Sequence, residues 1–150
     1  MQIPTDLLKA AHLFAAKKDV RSFIESVYIE WRDDTAKIVA TDGHRMFVAT
    51  FAIEPSGDGA CIVPSNTVKR ALTGYKHDTI EFCPPQASTL PYTITAAIGG
   101  VTFEPIQAEY PDWRRVVPVE ASGEASQFNA AYIGELGKAA RVLMKHSKTM

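Results

Sequence analysis

No apolar run in this sequence approaches the roughly 20 residues that a membrane-spanning helix needs, and the N-terminus lacks the apolar core of a secretory signal. Cysteine is scarce. Cys61 and Cys83 are the only two, too far apart for a metal motif, and both fall in strand-like segments. We expect two reduced core thiols in a cytosolic protein. An excess of charge of either sign is also missing: 16 Lys and Arg stand against 17 Asp and Glu, for a net charge of −1. Bulk electrostatics therefore will not draw the chain onto DNA or an acidic membrane. Any nucleic-acid surface must come from local segregation of charge. There is no phosphate-cradling glycine loop, no nucleophile elbow and no paired-carboxylate motif. What remains is an ordinary globular composition, 46% hydrophobic over 150 residues. That is enough for one good core, and for one domain or slightly more.

The apolar pattern divides the chain. Pro4, Thr5 and Asp6 signal a helix start, and Leu7, Leu8, Ala11, Phe14 and Ala15 recur at helical spacing. After Val20 the period changes to two, with Phe23, Val27, Ile29 and Trp31 apolar, and Asp33 and Asp34 able to turn the chain. Strands are predicted over 38–40 and 46–53, separated by a break at Gly43. Residues 55–59 are a loop by composition, and 60–63 a short buried strand. Pro64 and Ser65 open a second helix, with Val68, Ala71 and Leu72 inward, and Gly74 closes it. Strands at 79–83, 92–98 and 101–106 follow, the last two joined by the hairpin signal Gly99-Gly100. If residues 1–3 form a strand, the phrase strand–helix–three strands occurs twice. The halves share no obvious sequence identity, so the repeat is one of architecture. Residues 119–125 read as a linker. Gln127, Phe128 and Asn129 suggest a strand end, and 130–144 a helix, which would open the phrase a third time. On that helix Tyr132, Ile133, Leu136, Ala139, Ala140 and Leu143 form one apolar face, with Lys138, Arg141 and Lys145 almost opposite and Lys148 near them if the helix continues.

The segment Ala40-Thr41-Asp42-Gly43-His44-Arg45-Met46 lies between two strands. It resembles the ATDGHR signature in the middle domain of bacterial β sliding clamps. Three other segments match in family order: Asp19-Val20-Arg21 at the start of the first long strand, Ile62-Val63-Pro64 before the second helix, and the closing stretch from Tyr110 to Pro118. The resemblance covers residues 1–118 as one clamp domain and 126–150 as the first strand and helix of a following, incomplete one. It implies an α+β fold with helices on one side of antiparallel sheets. In the family, six such domains close into a ring whose helices line the hole. A whole domain normally precedes this one, and the final domain normally runs to completion. We therefore expect either a piece of a clamp or a reduced clamp-like protein.

The resemblance also implies a non-catalytic function: holding replication proteins on duplex DNA. It places Ile24, Thr41, Gly43, His44, Arg45, Met46, Pro111, Arg115 and Val116 at a groove for short linear peptides of DNA polymerase and clamp-loader subunits. Apolar side chains would hold a Leu or Phe anchor, and polar groups the peptide backbone. In the family the far wall comes from the last strand of the final domain, so the groove expected here is half built. Lys9, Lys69, Arg70, Lys138, Arg141 and Lys145 are the candidates for facing DNA, through weak, sequence-independent phosphate contacts. Self-association into a homo-oligomer and a cytoplasmic, nucleoid-associated location complete the expectation. No cofactor and no metal is expected. Asp42 and His44 offer two ligands on alternating positions, whereas a catalytic zinc typically takes three, and His12, His77 and His146 lie in unrelated segments. Two alternatives remain. One is a phage-type clamp-like protein binding host replication partners without encircling DNA. The other is a small metal-assisted hydrolase using Asp42 and His44.

Overall fold

A computed structural model describes residues 1–87, 94–120, 122–125 and 127–147. Two four-stranded antiparallel sheets carry the fold, with helices packed on their inner side. The elements are β1 (Gln2–Pro4), α1 (Thr5–Phe14), β2 (Ser26–Arg32), β3 (Thr35–Thr41), β4 (Met46–Ala52), β5 (Gly59–Pro64), α2 (Ser65–Leu72), β6 (Thr79–Ala87), β7 (Ile94–Ile98), β8 (Val101–Phe103), a 3-10 turn (Trp113–Val116) and α3 (Ala130–Ser147). Strand–helix–three strands is thus stated twice. The first strand of each phrase crosses over: β1 pairs with β6, and β5 pairs with β2. Each sheet is therefore closed by a strand from the other half, in the orders β1-β6-β7-β8 and β4-β3-β2-β5.

Alternation along the strands decides what each face sees. In the sheet β4-β3-β2-β5 the inward residues Val27, Ile29, Trp31, Ile38, Ala40, Cys61 and Val63 meet Leu8, Ala11 and Phe14 of α1 in the main core. The other sheet sends Ile3, Ile80, Phe82, Ala96, Ile98 and Phe103 into the same core. Val68 and Ala71 of α2 join them, as the sequence predicts. The outer faces differ. Gln2, Glu81, Cys83 and Thr102 leave the sheet β1-β6-β7-β8 polar and exposed. Val39 and Ile62 on the other sheet are instead covered by Tyr110 and Trp113 of the closing segment, with Phe23, Tyr28, Met46 and Ile106 packed around them. A second, smaller core results.

Several boundaries differ from the sequence expectation for local reasons. Residues 19–25 form bends and turns, and β2 begins only at Ser26; Asp19 holds the turn by accepting the Arg21 N–H at 2.8 Å and its Nε at 2.9 Å. Strand β6 runs on to Ala87, with a register shift between Cys83 and Gln86 where Pro84 and Pro85 supply no N–H. Strand β8 stops at Phe103, two residues before Pro105. Tyr92, expected in the strand before it, lies outside the described residues, as does Lys148. Gly99 and Gly100, both at positive φ (53° and 78°), make the two-residue hairpin. Cys61 is buried, which pushes its thiol up to about 12, but Cys83 is exposed on β6 and is not the core thiol expected. Residues 127–129 are irregular and form no strand. Asn129 instead caps α3, its Oδ1 accepting the Ala131 N–H at 2.9 Å.

Helix α1 lies between the other two helices, packed on both α2 and α3. The buried side of α3 is narrower than its sequence stripe. Ala139 is buried and Tyr132, Glu135, Val142 and Leu143 are partly so, while Ile133 and Leu136 are exposed.

Candidate functional site

The turn between β3 and β4 is closed by its own side chains. Thr41 donates its hydroxyl to the Arg45 carbonyl at 2.8 Å and accepts the Gly43 N–H at 3.1 Å. One oxygen of Asp42 accepts the N–H groups of His44 at 2.9 Å and Arg45 at 3.1 Å, and the other accepts Arg45 Nε at 2.9 Å. Burial works to raise the Asp42 carboxyl, but these hydrogen bonds outweigh it and hold it below the ordinary carboxylate range. Gly43 sits at φ +88°, a conformation that side chains with a Cβ rarely adopt. The sequence of the turn therefore dictates its shape: a short hydroxyl, a carboxylate that caps amides, and a glycine at the bend.

Beside this turn lies an open cavity of about 750 Å³. Its lining comes from three separated stretches: Arg21, Phe23 and Ile24; 41 and 43–48 without Phe47; and 110–118 without Arg114 and Arg115. Of the residues expected at a groove, Ile24, Thr41, Gly43, His44, Arg45, Met46, Pro111 and Val116 all line it. Ile24, Tyr110 and Trp113 form a buried floor, whereas Val116 stands 71% exposed at the rim. Met46 faces the cavity because it shares the outer side of the sheet with Val39, opposite the helices.

Arg115 is not brought there. In a 3-10 turn residues three apart eclipse one another, and Trp113 and Val116 share the cavity side, while Arg114 and Arg115 are not among its lining residues. Arg115 is exposed and pairs with Asp112 at 3.5 Å. Arg114 lies over the Trp113 ring, 4.3 Å from its centroid, and pairs with Glu30. Tyr110 and Trp113 are the floor residues that the sequence reading passed over. Tyr110 stacks on Tyr28 with centroids 4.4 Å apart and fixes the closing segment to the sheet. The three-residue spacing of Tyr110, Trp113 and Val116 was the available signal.

The expected basic residues lie on all three helices. Lys69 and Arg70 are exposed on α2, and Lys138, Arg141 and Lys145 on α3. Lys9 on α1 is half-buried, with Asp6 at 3.8 Å. His12 of α1 lies near one of them, Lys69. Burial lowers its pKa first, and Lys17 and Lys69 lower it further; its Nδ1 lies 3.1 Å from Ser65 Oγ of α2.

The Asp42 and His44 side chains are engaged apart from one another. The carboxylate serves the turn, and the imidazole stacks on Tyr132 of α3 at 5.9 Å between centroids. Among the described residues no three His, Cys, Asp or Glu side chains gather as a metal-binding set, and no helix is long and apolar enough to cross a membrane.

Comparison with known proteins places this arrangement. The chain is 30% identical over 118 residues to the beta sliding clamp of Escherichia coli K12, covering 75% of this chain and 31% of that protein. It is 26% identical over 116 residues to the beta sliding clamp of Haemophilus influenzae, covering 77% and 32%. The chain thus spans about a third of the length of these relatives. Among solved structures, the DNA polymerase III subunit beta of Pseudomonas aeruginosa aligns with a TM-score of 0.66 at 23% identity, over 81% of this chain and 35% of that one. A sliding clamp of the same organism, crystallised bound to griselimycin, aligns at 0.61 and 25% identity, over 81% and 34%. Residues 3–112 match the family described as the DNA polymerase III beta subunit, central domain. The chain therefore belongs to the DNA polymerase III beta subunit family, which it matches through that central domain.

Proposed function

We propose that this chain is a sliding-clamp protein or fragment that holds replication proteins on duplex DNA without catalysing a reaction, and that its cavity takes the apolar anchor of a short linear peptide from a polymerase or clamp-loader subunit. The observation that carries this reading is the convergence of three distant stretches on one apolar-floored cavity beside the 41–45 turn. Met46 and Val116 offer apolar surface to an anchor, while Gly43 and His44 are exposed at the lip. The helical layer lies on the opposite side of the sheet, and its cations suit weak, salt-sensitive contact with phosphates. A near-neutral chain fits a protein retained on DNA by encirclement better than one retained by affinity. In this reading residues 1–118 are the clamp domain, 119–125 a linker and 126–150 the start of a following domain, in a cytoplasmic, nucleoid-associated protein that self-associates.

Burying one Leu or Phe anchor contributes about 1.5–3 kcal/mol. Added backbone contacts bring the expected dissociation constant to about 100 μM. Titration of a fluorescent peptide carrying Gln and Leu or Phe measures it. Met46→Asp places a charge in the apolar wall and is expected to weaken binding at least about tenfold, the equivalent of roughly 1.4 kcal/mol, while the circular dichroism spectrum stays native. Equal affinity in the variant refutes the assignment of the cavity.

A further inference from the structure

Helix α3 meets the 41–45 turn through one face of its first turns. Tyr132 and Glu135, three residues apart, lie on that face. Glu135 forms an ion pair with the Arg45 guanidinium, and the Tyr132 ring stacks on His44. The Arg45 side chain is only 14% exposed. Its guanidinium donates to Asp42 at 2.9 Å and to the Leu13 carbonyl of α1 at 3.2 Å. The rings of Phe14 and Tyr132 lie 5.0 and 5.1 Å from it. One side chain therefore joins α1, α3 and the carboxylate that shapes the cavity wall. Further along α3, Ala139 and Leu143 pack into the main core, so the helix is anchored independently of this contact.

We infer that α3 is a positioning element for the cavity, with Glu135 and Tyr132 fixing the 41–45 turn through Arg45 and His44, so that helix docking and peptide occupancy favour one another. This inference rests on the peptide reading of the cavity. Its physical basis is asymmetric anchoring. Asp42 belongs to the turn itself, so it keeps the turn folded without tying it to the helices, and Leu13 and Phe14 hold the guanidinium to α1 by uncharged contacts alone. Glu135 approaches from a separate helix and adds the charged anchor outside the turn. A ligand that needs the turn in one position then binds more tightly when α3 is seated, and by linkage seats α3 more firmly in return.

The test uses the full chain with Glu135→Gln, which keeps the size of the side chain and removes its charge, and with Tyr132→Leu, which removes the stack. Hydrogen exchange at the Gly43, His44 and Arg45 amides is followed beside the peptide titration. In both variants we expect faster exchange at these amides and a dissociation constant raised about 3- to 10-fold. Saturating peptide should slow exchange in the first turns of α3 in the native chain and do so less in Glu135→Gln. A helix with a merely structural role would not show that reciprocal effect. Unchanged exchange at the turn in both variants overturns the inference, as does peptide that leaves α3 exchange untouched in a native chain that binds it. If the native chain binds no peptide, the cavity assignment falls, and turn exchange alone then decides whether α3 positions the turn.

Discussion

The two halves of the molecule repeat one architectural phrase, yet the elaborated turn and the candidate site beside it belong to the first. Their difference lies in what joins and covers the strands. Between β3 and β4 stand residues whose side chains close a broad turn and reach a neighbouring helix. The corresponding link between β7 and β8 is Gly99 and Gly100, which supply a bend and no side chain. The outer face of the first sheet is covered by the segment around Tyr110 and Trp113. The outer face of the second is left polar. On this duplicated scaffold the candidate site lies where an elaborated turn of the first copy meets a covering segment.

Removing the cover should have the largest effect on this asymmetry. Trp113 is 9% exposed and anchors the second core. Trp113→Ala is expected to cost about 3–5 kcal/mol in urea unfolding and to abolish peptide binding. Loss of binding with full stability would mean that the covering segment is not a core at all.

The two glycine turns give the next contrast. A Cβ at Gly99 would stand 2.7 Å from Ile80 Cδ1, at φ +53°. Gly99→Ala should therefore cost about 1–3 kcal/mol and leave the affinity of the surviving folded protein unchanged. At Gly43 a Cβ meets nothing closer than Arg21 at 3.6 Å, so only its φ of +88° is penalised. Gly43→Ala should cost about 1–2 kcal/mol, but here affinity should fall as well. If both glycines affect stability and binding alike, the division of labour between the halves is wrong.

The smallest expected effect sits at the seam. His12 of the first half faces Ser65 of the second, and burial with Lys17 and Lys69 lowers its pKa below the ordinary 6.5. The unfolded chain then takes up the proton first. The contribution of His12 is fully present above about pH 6.5 and is lost as pH falls through that value toward the lower folded-state pKa. Asp42 titrates below the ordinary carboxylate range, so its own loss comes at still lower pH. Urea midpoints between pH 7.5 and 5.5 should decline in the native chain and decline less in His12→Gln.

Much of this was legible in the sequence because local signals and tertiary demands agreed. The period-two stretches became strands from Ser26 onward, the Gly99-Gly100 pair became a hairpin, and the 41–45 stretch became the turn that its composition required. The cavity lining was legible only through family resemblance, since Ile24, Met46 and Val116 are distant in the chain. Arg115 escaped because its side chain is exposed and pairs with Asp112 instead of lining the cavity, a choice of partner that no sequence pattern signals. Helix α3 escaped for a different reason. A helical wheel favours Ile133 and Leu136 as inward residues, but Arg45 draws Glu135 inward and those two remain exposed. An ion pair between residues so far apart leaves no trace in a hydrophobic pattern.

The crossed first strands have a consequence for synthesis on the ribosome. Gln2 and Ile3 find their partners only in Glu81 and Ile80. Strand β1 leaves the ribosome before β6, so its backbone groups stay unpaired until everything from α1 to α2 has been made, whereas β2, β3 and β4 can form a local meander at once. Nascent chains should therefore carry an unsatisfied edge at β1 until β6 has left the exit tunnel, and then lock both halves together in one late step.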